Sequence, residues 1–240
     1  MIARNVSTGP ASPSVFTDAA AAPTPQPVRR RGTPRVWWLV LALSLAIVGY
    51  ALAYLILGEK MFAPGVGAGF RERPWGIYSH AFVAMFALAI GPFQFREALR
   101  KRRLQLHRTL GKIYIVAALL TGITGLYMAV YSFGGMITHF GFGLLGVGVI
   151  ITTTVAYRLI RKLDTVAHRE WMIRSFSLIF AAVTLRILLP LLITAYQGAF
   201  EPAYLWVSWL CWVPNIIWAE WYIRRTRGRR VIPVIGVAAA

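Results

Sequence analysis

Four histidines, His80, His107, His139 and His168, are the residues of this chain best suited to binding chemistry. Cysteine occurs once, as Cys211, so no thiol pair exists for a disulfide or a metal, and no acid–base pair or nucleophile arrangement points to hydrolysis. His80 to His107 is 27 residues and His139 to His168 is 29, and each second histidine is followed by an arginine, Arg108 or Arg169. Each interval is one membrane crossing plus a loop. The histidines therefore sort into an outer pair, His80 and His139, and an inner pair, His107 and His168. Two neutral imidazoles at one depth on facing helices can bind the iron of a b-type haem axially from opposite sides.

A macrocycle between two helices needs room. Ala84, Ala87 and Gly91 follow His80 at helical spacing, and Gly143 and Gly146 follow His139, which predicts a slot beneath the outer pair. The inner pair has less: Gly111 follows His107, whereas Met172 and Ser175 follow His168. The competing reading is that small residues only bring membrane helices close and that the histidines hydrogen-bond in the interfacial zone. Zinc is disfavoured, since neither pair supplies three or four ligands.

The elements that would carry these residues are membrane helices. The chain is 58% hydrophobic and 14% charged, and its mean hydropathy is +0.59, more than one soluble core can hide. Apolar runs fall at about 36–57, 78–95, 113–132, 136–157, 175–196 and 203–223, each about 18–22 residues and so matched to the hydrocarbon core. The expected fold is an all-α integral membrane protein with six transmembrane helices, helices two to five forming a four-helix core around the histidines.

The net charge of +18 comes from 26 basic residues concentrated in alternate loops, at 96–112, 158–174 and 224–230 and before residue 36. That pattern predicts both termini in the cytoplasm, a multi-pass location in the bacterial inner membrane, and attraction to lipid headgroups instead of nucleic acid. Residues 1–35 are expected to be a disordered basic tail, retained for want of a signal-peptide core, followed by a transmembrane domain at 36–224 and a short tail at 225–240.

Arg186 falls within the fifth apolar run, where a guanidinium needs an acceptor: a haem propionate, a quinone carbonyl, or backbone carbonyls near Pro190. Arg71 and Arg73 precede His80 and could reach propionates or headgroups. Gln94 and Asn215 are expected to bond neighbouring helices, Glu220 to pair with Arg224 four residues on, and Gly134-Gly135 to make a short outer turn.

The stretches "GPFQFR" (91–96), "LHRTLGKIY" (106–114), "HREWMIRSF" (168–176), "VTLRILLP" (183–190) and "CWVPN" (211–215) resemble an uncharacterised bacterial membrane-protein family, domain-of-unknown-function family 2306, over about residues 75–222. That resemblance implies no activity. The helix count and the alternation of histidines over helices two to five also look like the cytochrome b-561 family of two-haem transmembrane electron carriers. This second resemblance implies that His80 and His139 hold an outer haem and His107 and His168 an inner one. It further implies that "FREALRKRRLQLH" (95–107) corresponds to a basic segment that helps bind ascorbate.

The preferred expectation is a membrane haem protein with one or two b haems carrying single electrons, in its fullest form a transmembrane oxidoreductase. Its partners would be the lipid bilayer and a small reductant or quinone. The alternatives are a non-haem binding or transport protein with a polar cavity built by Gln94, Arg186 and Asn215, or an accessory membrane subunit.

Overall fold

The computed structural model describes residues 35–61 and 73–228; residues 1–34 of the tail expected at 1–35, residues 229–240 of the tail expected at 225–240, and Arg71 lie outside the described residues. Every regular element among the described residues is helical. The order is α1 (Arg35–Leu57), a 3-10 turn (Gly58–Met61), α2 (Pro74–Gln94), α3 (Glu97–Arg102), α4 (Leu104–Val130), α5 (Gly135–Arg161), α6 (Thr165–Ile179), α7 (Ala181–Ala195), α8 (Phe200–Leu210) and α9 (Val213–Gly228).

Among the described residues, five stretches are long and apolar enough to cross a bilayer: α1, α2, α4, α5, and α6 with α7 as one run, Thr165–Ala195. This is an all-α, multi-pass membrane protein. Its outer surface shows why, since Val116, Ile123, Ile151 and Leu191 are all exposed. Such faces are stable against lipid tails and not against water.

The sixth run departs from the expectation of one helix at 203–223. It is split at Cys211–Trp212 into helices of 11 and 16 residues, with Pro214 one residue into the second. Proline has no N–H to continue the ladder. Neither piece alone spans a hydrocarbon core, and α9 runs to Gly228, past the boundary expected at 224. Two other boundaries move. α4 starts at Leu104 and α6 at Thr165, about nine residues before the apolar runs, so His107 and His168 lie in the first turns of helices and not ahead of them.

Helices α2, α4, α5 and α6 close a ring, α2 packing on α4, α4 on α5, α5 on α6 and α6 back on α2. α1 lies against α2 and α7, and α8 against α5 and α7. Small side chains set these distances, because without water to drive association membrane helices gain mainly by close packing. Ala87, Ala118 and Ala156 are fully buried. A Cβ on Gly122 would come 3.1 Å from the Gly146 carbonyl oxygen, so α4 and α5 touch backbone to backbone.

The connections follow from local chemistry. Gly134 and Gly135 take φ of +95° and +67° between α4 and α5, the left-handed region that glycine enters without strain. This is the expected tight turn. Asp164 caps α6 by accepting the Ala167 amide at 2.9 Å.

Candidate functional site

The basic loops 96–112 and 158–174 meet at one end of the ring, where α2 ends, α4 and α6 begin, and α5 finishes. His107 and His168 are brought together here, each partly buried and within electrostatic reach of the other. His168 Nδ1 lies 2.8 Å from the Ala156 carbonyl oxygen. A carbonyl has no proton to give, so Nδ1–H donates and Nε2 keeps its lone pair. His107 Nδ1 is buried without a hydrogen-bond partner among the described residues.

A polar chain lies beneath the pair. The Tyr114 hydroxyl is 2.9 Å from Ser175 Oγ, which is 2.8 Å from Thr153 Oγ1, and all three side chains are fully buried. Tyr114 is seven residues after His107 and Ser175 seven after His168, two helical turns on the same faces. Sequence reasoning missed this chain. The i, i+7 relation was readable for each helix separately, but not that the faces meet. On α2, Gln94 is buried with its Oε1 3.2 Å from where a Gly111 Cβ would stand, and its Nε2 has no partner among the described residues.

The opposite end is arranged otherwise. His139 Nε2 donates to the Ser132 carbonyl at 3.0 Å, tying α5 back to the turn before it. His80 Nδ1 is 3.1 Å from Thr124 Oγ1, whose own proton goes to the Leu120 carbonyl at 2.7 Å. The histidine is therefore the donor in that bond. Among the described residues His80 and His139 share no hydrogen-bond partner. Of the small residues expected to leave room beneath them, Gly146 is seated on Gly122 and Leu126, and Gly91, three residues from the end of α2 and so nearer the basic end, is covered by Phe176, whose ring would stand 2.2 Å from an added Cβ. Gly143 faces open space, with nothing within 4 Å of an added Cβ.

Arg186, on α7, stands nearer this opposite end. It donates to the Ala182 carbonyl at 3.1 Å and lies over the Tyr50 ring, 5.4 Å from guanidinium carbon to centroid. Its backbone acceptor is thus one turn back in its own helix and not beside Pro190. Arg73 rests over the Tyr131 ring at 4.2 Å. Asn215 behaves as expected, donating to Ser177 O and bonding Thr184 Oγ1 on the α6–α7 span.

Glu220 corrects an expectation. Its carboxylate takes both Arg174 Nε and Nη2, the latter at 3.0 Å, across helices and not from Arg224 in its own. Glu170 and Arg227 make a second two-point pair between α6 and α9, with Nε to Oε1 at 2.6 Å. Planar guanidinium and carboxylate suit such paired bonds, and Glu170 holds the Arg227 guanidinium above its ordinary pKa. On α3, a Lys101 hydrogen bond and charge at 2.7 Å hold the Glu97 carboxyl below its ordinary range.

Among the described residues no group of three or more His, Cys, Asp or Glu could hold a metal ion. No curated protein and no solved structure matches this chain. Residues 77–223, more than half of the chain, match the model of the family described as predicted membrane protein (DUF2306), and the chain belongs to that family.

Proposed function

We propose that the protein crosses a bacterial inner membrane six times with both termini cytoplasmic, binds one b-type haem between His107 and His168, and carries single electrons. The observation that carries this reading is the His168 imidazole. Its Nδ1–H is committed to the Ala156 carbonyl, which orients the ring and leaves Nε2 as a lone-pair donor, the second-shell arrangement common to histidine ligands.

The crossing count draws on α8 and α9. Trp209 Nε1 donates to Ile137 O at the start of α5, whereas Arg227 meets Glu170 at the start of α6, so the broken segment runs from one end of the bundle to the other. The concentration of lysine and arginine at the second end supports its cytoplasmic side.

The donor set at the basic end suits a bis-imidazole haem, and the one at the opposite end does not, because His139 Nε2 already carries its proton to Ser132. His107 and His168 would hold the iron. Arg100 and Arg108, both near His107, would offset the propionates. Bound haem would supply one-electron exchange at a potential set by ligation and burial. Tyr114, Ser175 and Thr153 fill the core below and would keep the group at the rim. Arg186 has no part in this site: it is 18 residues beyond His168, roughly 27 Å along the α6–α7 span.

The test is a reduced-minus-oxidised visible spectrum of the detergent-purified protein with haem quantified per chain. One low-spin haem, lost in His107→Ala or His168→Ala and kept in His139→Ala, is the expected result. Colourless protein after expression with ample haem overturns it.

A further inference from the structure

Arg186 is a cation inside a membrane-crossing run with no carboxylate partner among the described residues. Its position is not that of a loop residue. It lies nine residues before Ala195, about 14 Å along the helix. Tyr50 lies seven residues before Leu57 and His80 six after Pro74, about 10 Å from the same end of the bundle. Three helices thus bring polar side chains to one depth.

The groups are built around the guanidinium. Tyr50 supplies a ring face, and Tyr54, one turn on, stacks near Tyr50 with centroids 5.3 Å apart and is hydrogen-bonded to it. His80, its Nδ1 held by Thr124, lies within electrostatic reach of Arg186. One bond, to Ala182 O, uses one of five guanidinium donors. The remaining donors have no protein acceptor among the described residues, and the side chain is exposed on the lipid-facing surface between α1 and α7.

Charge selects the ligand. A quinone carbonyl or a water accepts a hydrogen bond but leaves the full positive charge at membrane depth, whereas an oxyanion removes both deficits. We propose that Arg186, with Tyr50, Tyr54 and His80 around it, is a binding site for the oxyanion of a lipid, entered sideways from the bilayer. The shared chemistry is a phosphate or carboxylate on an acyl chain. The site is independent of the haem reading, being at the other end of the bundle and requiring no cofactor.

The test uses full-length protein released from nanodiscs and analysed by native mass spectrometry, with haem absorbance recorded on the same samples. Nanodiscs carry phosphatidylcholine alone, or with phosphatidylglycerol, or with oleate. Wild type is expected to retain one anionic lipid per chain with a preference of about fivefold over phosphatidylcholine, falling to about onefold in Arg186→Gln and persisting in Arg225→Gln. Retention of phosphatidylglycerol over oleate identifies a phosphate, and the reverse a carboxylate. Equal retention of anionic and zwitterionic lipid by wild type overturns the proposal even if Arg186→Gln does not fold. Unchanged selectivity in folded Arg186→Gln also overturns it.

Discussion

His139 and His168 each give a ring proton to a backbone carbonyl, but from different nitrogens. His168 uses Nδ1, the nitrogen nearer its own backbone, and keeps Nε2 at the far tip of the ring as an acceptor. His139 spends Nε2 on Ser132 and retains only Nδ1, the nitrogen nearer its own backbone. The same side chain with the same kind of partner is in one case presented outward and in the other tied down. Distance explains the choice. Ser132 lies seven residues back across the Gly134-Gly135 turn, where the ring tip reaches it, whereas Ala156 belongs to the neighbouring helix packed alongside. Identity and depth of a histidine do not make it a ligand; the carbonyl that captures one nitrogen does.

The sharpest attempt to break this comparison exchanges the two ends. His168→Ala should abolish haem binding whereas His139→Ala leaves the haem content of wild type, read from absorbance per chain. Equal loss in both variants would return the preference to the opposite end.

The next effect concerns what holds the basic end together. Arg227→Ala leaves the largely buried Glu170 carboxylate without its two-point partner, and should lower the midpoint of thermal or denaturant unfolding of the detergent-solubilised protein. Packing provides a pair on one helix. Gly146→Leu should cost about 1–3 kcal/mol by forcing α5 off α4. Gly143→Leu, facing open space three residues earlier, should change stability by less than about 0.5 kcal/mol. A comparable loss at both would mean that Gly143 also meets a neighbour. His139→Ala removes one hydrogen bond to the turn and should cost about 1 kcal/mol, a structural loss without a spectral one.

Much of the architecture was legible along the chain. Apolar runs, alternating basic loops and the double glycine anticipated the membrane class, the ring of helices and the tight α4–α5 turn. The break at Cys211–Trp212 was harder to see, since Pro214 stands inside an uninterrupted apolar run and hydropathy does not register a missing N–H. The early starts of α4 and α6 were missed for a related reason: charged first turns are helical but not apolar, so the run begins later than the helix.

The sequence by itself determined what repeats locally: where the chain turns apolar, where it carries charge, and which residues share a helix face. Only the tertiary structure decided which faces meet. That Gly91 receives Phe176, that Glu220 takes Arg174 over Arg224, and that Tyr114 completes a chain with Ser175 and Thr153 depends on how each helix is rotated about its own axis. The rotation of an apolar helix in lipid is poorly constrained by its own hydropathy, because nearly every face is acceptable to the solvent. Neighbouring helices set it, through close contacts between small residues and a few buried hydrogen bonds.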